Sequence, residues 1–298
     1  MATAADLVHD CRQHLHNGER PQVNFLAETV ASTSDDTIVL SLDLGPIKAG
    51  ATISIGLERM FVKSTNEASK TATVQRGWDG STAVTHTTVG TVVRVNEQYD
   101  DFAIVRALNQ ELADLSSPVN GLFKITSVDR TYAVTTWGYN LDADMIGEPL
   151  GVLVEDPSGT ANWRRLLPSE WIYDPSADAT DFASGKSLRV VGYVDPGRTI
   201  RIVYREPFTA ISALTDDVQT TVGLPASAND IPPLGAAVIL LAGRSARRSS
   251  LDSQGSTRRA EETSTQDALV SVRGLLARRE QRVAAEAARL ASQFAALV

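Results

Sequence analysis

Apolar and polar positions alternate along most of the first two thirds of the chain and recur at helical spacing in the last third. Residues 4 to 17 put Leu7, Val8, Cys11 and Leu15 on one face, with Gly18 as a C-terminal stop and Pro21 beyond it, which predicts an N-terminal helix within 1–20. From Asn24 to Val95 the period shortens to two. Segments 37–42, 51–55, 58–63, 71–75 and 91–95 read as five short strands, divided by Leu44-Gly45-Pro46 and Lys48-Ala49-Gly50. That spacing predicts a small β-barrel or sandwich over 21–97. Phe102, Val105, Leu108, Leu112 and Leu115 then predict a connecting helix within 98–118, stopped by Ser116-Ser117-Pro118.

Over 119–212 the β pattern returns, with candidate strands at 121–128, 131–136, 151–155, 163–166, 187–193 and 199–205. Asp156-Pro157-Ser158-Gly159 and Asp195-Pro196-Gly197 are strong turn signals, and the region reads as an antiparallel β-sandwich. A helical C-terminal region fills 213–298. Pro232-Pro233 open a helix whose apolar run from Leu234 to Leu241 is too continuous for a surface position. After the polar stretch from Ser249 to Ser264, Leu269, Leu276, Val283, Leu290 and Leu297 recur every seven residues, with Val272, Ala287 and Phe294 between them. Arg273 and Glu280 break the heptad, so the pattern fits a helix packed against neighbours in a ring or hairpin. The expected fold class is α+β and multidomain: a small β-barrel or sandwich, an antiparallel β-sandwich and a helical C-terminal region.

Charge divides the chain more sharply than its total suggests. The 298 residues carry a formal charge of −8. From Ile231 onward there are ten arginines, no lysine and six acids, a local charge of +4, which leaves −12 for the preceding 230 residues. An acidic body with an arginine-rich tail predicts partner binding by the tail or a charge-divided assembly. It disfavours general nucleic-acid binding, which needs a basic, aromatic-interleaved surface. Cys11 is the only cysteine, so neither a disulfide nor a cysteine-built zinc site forms within one chain. The N-terminal stretch lacks the charged start and apolar core of an export signal, and the longest apolar patch, 236–242, is far short of the ~20 residues of a membrane span. Synthesis in the cytoplasm without export is the expectation.

Motifs for chemistry are sparse. Gly185-Lys186-Ser187 resembles the end of a phosphate-binding loop, but the required earlier glycine is replaced by Thr180, so a strand start is expected there. Asp142 with Asp144, and Asp174 with Asp178 and Asp181, offer oxygen ligands without EF-hand spacing and read as solvated loop acids. His14 and His16 lie near Asp10 but point in different directions on a helix. Neither G-x-S-x-G nor H-E-x-x-H occurs. The expectation is a non-enzyme with no catalytic residue, metal or cofactor. Trp137, Tyr139, Trp163, Trp171 and Tyr173 form an aromatic-rich stretch suited to a sandwich core, a subunit interface or stacking on sugars.

The segment 71–95 is the most specific feature. Two alternating runs flank Arg76-Gly77-Trp78-Asp79-Gly80-Ser81-Thr82-Ala83, followed by His86 and Gly90, a strand, structured loop and strand. Read from its residues, the loop needs no catalysis. Arg76 and Asp79 are expected to pair across it, His86 to cap or pack it, and Trp78 either to close a small barrel or to present an interface anchor. The arrangement R-G-x-x-G-[ST]-x-A-x-x-H followed by glycine resembles a recurring element of virion proteins from tailed bacteriophages, found in neck, tail and baseplate components. The resemblance runs from Ile47 to Val95. It implies a structural virion protein assembled in the host cytoplasm, and the preferred reading is a head-to-tail connector or adaptor. Such proteins form homo-oligomeric rings with the portal's symmetry, commonly twelve-fold, around a DNA channel. Their partners are the portal and tail or neck proteins, with packaged DNA nearby and no membrane. On this reading Arg76, Gly77, Trp78, Asp79, Gly80 and His86 form an interface hairpin. Arg247, Arg248, Leu269, Leu276, Val283, Leu290 and Phe294 form a C-terminal docking element. The alternatives are a baseplate, collar or tail-fibre component, or a carbohydrate-binding surface module.

Overall fold

The computed structural model describes residues 2–15, 22–156, 162–252 and 265–294, with backbone alone at 243–252, 265–271 and 293–294. His16, Gly18, Pro21, the turn at 157–159, most of the polar stretch before Ser264 and Leu297 lie outside the described residues. The chain divides into two units, one of Met1–Glu111, Ile211–Thr221 and Ala226–Gln281, the other of Leu112–Ala210, Val222–Pro225 and Arg282–Val298.

The first unit is built on a six-stranded half-barrel of β1 (Gln22–Phe25), β2 (Thr37–Val39), β3 (Thr52–Ile55), β4 (Glu58–Asn66), β5 (Thr71–Gln75) and β6 (Val92–Val95). The strand order is β1-β6-β3-β4-β5-β2, every pair antiparallel. The two edges meet at the Leu26 to Leu40 bridge, where Ala27 N–H donates to Val39 O at 2.9 Å and Ser41 N–H to Phe25 O at 2.8 Å. This single bridge curls the sheet into a half-barrel and covers part of the edges an open sheet would expose. Inward positions carry Ile38, Ile53, Ile55, Met60, Val62, Ala72, Val74, Val93 and Val95, a continuous apolar core. Strand β1 escapes a hydrophobicity reading because its alternation is inverted. Asn24 points inward, its amide serving Leu42 O and Asp43 O while its Oδ1 accepts from Phe25 and Leu42 N–H, so the side chain replaces ladder partners where the two edges meet.

Helices complete this unit. α1 (Ala4–Leu15) buries Leu7, Val8, Cys11 and Leu15 and lies against α3 (Ile231–Asp252). Burial along α3 is complete from Ile231 to Ala237 and partial from Val238 to Leu241. The predicted buried run is therefore met over its first half only. α2 (Asp101–Leu115) is capped by Asp100, whose carboxylate accepts from Ala103 N–H at 2.8 Å. Within the first unit, Glu111 of α2 sits directly over Gly235 of α3 and accepts from Arg279 Nε of α4 (Thr265–Phe294) at 2.6 Å.

The second unit is an antiparallel sandwich of β7 (Lys124–Thr131), β8 (Tyr139–Asn140), β9 (Gly151–Glu155), β10 (Trp163–Arg165), β11 (Trp171–Asp174), β12 (Ser187–Val190) and β13 (Thr199–Glu206). One sheet has the order β10-β9-β13-β7, the other β11-β12-β8. Their facing sides share one core that includes Tyr139, Val152, Val154, Trp171, Leu188, Ile200 and Ile202. The α+β class read from the sequence holds. Two details differ. The strand expected at 131–136 is absent because β7 pairs with β13 without interruption from Lys124 to Thr131 and the chain then turns, Thr136 N–H closing on Ala133 O at 3.0 Å. β11 carries Trp171-Ile172-Tyr173, apolar at consecutive positions, and so shows no alternation to read. Among the described residues no helix is long and apolar enough to cross a membrane.

Candidate functional site: a carboxylate under the loop

Strand parity brings the loop's chemistry together. Glu58 shares its inward parity with Met60 and Val62 on β4, and Arg76 continues that of Ala72 and Val74 on β5. A carboxylate and a guanidinium therefore meet at one end of the barrel interior, both almost wholly buried. Arg76 Nε donates to Glu58 Oε1 at 2.6 Å and Nη2 to Oε2 at 2.8 Å. Nη2 also donates to Val84 O, and Nη1 to Asp35 O at 2.9 Å and Ser32 O at 3.2 Å. All five N–H groups of the guanidinium are thus engaged.

Glu58 is equally saturated. Besides Arg76 it accepts from Gly77 N–H at 3.3 Å, Val84 N–H at 3.1 Å and His86 Nε2 at 2.9 Å. Burial by itself would raise this carboxyl. The hydrogen bonds from Arg76, His86 and Val84 outweigh it and bring the pKa down to about 2. An ionised carboxylate only accepts, so the hydrogen between His86 and Glu58 sits on Nε2. The His86 backbone pairs in both directions with Val30, at 2.8 and 2.9 Å, which fixes the far end of the loop.

The remaining loop residues hold its shape. Gly77 adopts φ 61°, and a Cβ there would lie 3.1 Å from Ser81 O, so the position demands both left-handed backbone and no side chain. Ser81 Oγ donates to Trp78 O at 2.9 Å and accepts from Arg59 N–H at 2.9 Å, pinning the Trp78–Gly80 turn to β4. Asp79, itself at φ 56°, pairs with Arg59. The expected Arg76–Asp79 pair is therefore corrected: parity turns Arg76 inward to Glu58, while Asp79 stays outside and meets Arg59, which also grips Asp100 with two donors. Trp78 lies with its ring centroid 4.9 Å from that of Phe61 on the outer face of β4 and stays 36% exposed, so it does not plug the barrel. Sequence reading missed Glu58, Arg59 and Asp100. The available signal was a glutamate at an inward position of an otherwise apolar strand.

Comparison of the chain with protein-family models, curated proteins and solved structures finds no match.

The other sequence candidates separate. Val283 and Leu290 are buried, whereas Leu276 is 38% exposed. The side chains of Arg247, Arg248, Leu269 and Phe294 lie outside the described residues. Asp142, Asp174 and Asp178 each accept from the N–H two residues on, an ordinary loop turn, and no cluster of metal-ligating residues occurs among the described residues. Lys186 donates to the carbonyls of Ala143 and Met145 at 2.6 and 2.8 Å and stands directly before β12. Tyr139 and Trp171 belong to the sandwich core. Trp137 and Trp163 instead lie under guanidinium groups, those of Arg189 at 3.9 Å and Arg201 at 4.1 Å.

Proposed function

We propose that the chain is a structural virion protein of a tailed bacteriophage, an adaptor or connector that forms a ring at the head-to-tail interface, between portal and tail and around the DNA channel. The observation that carries this reading is the saturation of the loop that resembles phage virion proteins. Gly77 and His86 donate to Glu58, and Arg76 divides its donors among Glu58, Val84 O of the loop and the carbonyls of Ser32 and Asp35. A carboxylate with every acceptor position filled has no capacity left for proton transfer. What the loop offers outward is Trp78 and Val84, apolar side chains on a rigid frame. Rigid apolar anchors are what an assembly interface needs, because little conformational freedom is lost on docking. The split between an acidic body and an arginine-rich tail supports contacts between unlike surfaces of neighbouring chains.

The purified full chain, studied by light scattering and negative-stain electron microscopy, is expected to form particles of many copies around one axis. Mixed with portal-containing capsids, it is expected to bind at a single vertex. A chain that stays monomeric and ignores such capsids sinks the proposal. Binding at the distal end of tails instead would favour a baseplate or tail-fibre station.

A further inference from the structure

The loop-bearing end of the sandwich holds a cavity that the proposed ring does not use. It lies where the C-terminal end of β9, the start of β10, the turn before β11 and the connection from β12 to β13 converge, and Glu155, Asp156, Arg164, Glu170, Tyr193 and Arg198 line it. Tyr193 is 83% exposed, the most exposed aromatic ring among the described residues. Its position is nonetheless fixed. The Tyr193 hydroxyl donates to Asp195 Oδ1 at 2.9 Å, and Arg164 Nη2 donates to Tyr193 O at 3.1 Å, so this cavity-lining residue is tethered at both ends.

Around that ring the polar groups are of both kinds. Arg164 is held near Glu170 at 3.3 Å, itself fixed by Leu167 N–H at 2.7 Å, which orients a donor and an acceptor side by side. Arg198, half-buried, makes no side-chain hydrogen bond or ion pair with the described residues and leaves its guanidinium donors to the cavity. With Asp195 included, four acids face two arginines. A phosphate or carboxylate ligand would meet net negative charge, and a simple cation would meet two guanidiniums.

We infer that this cavity is a binding site for a neutral glycan, whose vicinal hydroxyls both donate to carboxylates and accept from guanidinium, and whose C–H face stacks on Tyr193. A tethered, solvent-facing aromatic ring beside mixed charged groups matches that chemistry, since a sugar ring has one apolar face and a rim of hydroxyls. The inference does not rest on the proposed ring and would survive its failure. It departs from the aromatic stretch singled out in the sequence: Tyr139 and Trp171 are core, and Trp137 and Trp163, the latter opening β10, are capped by Arg189 and Arg201.

The test is a glycan array of neutral oligosaccharides with sialylated controls, probed with the full chain, followed by titration of the best neutral binder. Tyr193→Ala is expected to abolish the signal. Arg198→Gln is expected to weaken affinity about tenfold or more, the loss of charge-assisted hydrogen bonds. Both residues lie outside the core, so melting temperatures should stay at the parent value, separating lost binding from lost folding. Absence of any neutral binder, preference for the sialylated controls, or binding that persists in Tyr193→Ala each overturns the assignment.

Discussion

Arg76 and Glu58 meet face to face at the end of the barrel, Nε on Oε1 at 2.6 Å and Nη2 on Oε2 at 2.8 Å, with Glu58 wholly hidden from solvent. The pair holds residues 76–86 against β4 and β5, because the same carboxylate also takes the N–H groups of Gly77 and Val84. Replacing Glu58 by Gln keeps the shape and removes the charge, leaving a buried guanidinium uncompensated. The expected loss is about 3–5 kcal/mol of stability, read as a lower urea midpoint. Arg76→Lys should also be costly, since an ammonium cannot reproduce the two-pronged contact or reach five acceptors. A Glu58→Gln chain as stable as the parent would show that the pair does not hold the loop.

Acid should erase that difference. The Glu58 pKa is depressed from an ordinary 4.5 to about 2, so its contribution is full above 4.5 and is lost as pH falls toward 2. Stability curves of the parent and Glu58→Gln are therefore expected to lie well apart at neutral pH and to converge between about 4.5 and 2. Taking the difference between the two chains cancels the other titrating carboxylates. Parallel curves across that window would mean that the carboxylate is not held ionised by its donors.

Gly235 and Glu111 set a second constraint. A Cβ on Gly235 would fall 2.0 Å from Glu111 Cδ, in a place where that carboxylate also receives Arg279. Gly235→Ala should cost about 1–3 kcal/mol, the usual penalty of overpacking. Combining it with Glu111→Ala should restore part of the loss, since the clash disappears with the carboxylate. Additive losses in the double variant would place the strain elsewhere.

These two constraints mark how far the sequence could be read. Five of the six barrel strands, the helix after them and most sandwich strands announce themselves by period. β1 does not, because Asn24 occupies an inward position and works as a surrogate for backbone partners. Nor does the partner of Arg76. Its neighbour in sequence, Asp79, is the natural guess, and only the parity of two adjacent strands turns Arg76 toward Glu58, 18 residues away. Gly235 looked like an ordinary small residue in an apolar run until the helix facing it was in place. Pairing across elements depends on register and packing, which one chain's pattern does not encode locally.

The apolar row recurring every seven residues along α4 predicts a docking element. Val283 and Leu290 are buried in the chain itself, while Leu276 reaches solvent at 38% exposure. The row is therefore split, and its members should respond differently to a charge. Leu290→Asp places a carboxylate at a buried position and should destabilise the chain, lowering its melting temperature. Leu276→Asp should leave the melting temperature close to the parent value, because the new charge can stay hydrated. Under the proposed ring, that same change would nonetheless reduce assembly in light scattering and incorporation into particles, since a charge at an interface must shed its water on docking. Leu276→Ala, which removes apolar area without adding charge, should give a milder defect of the same kind. Normal assembly by Leu276→Asp would mean that this face of α4 takes no part in contacts between chains.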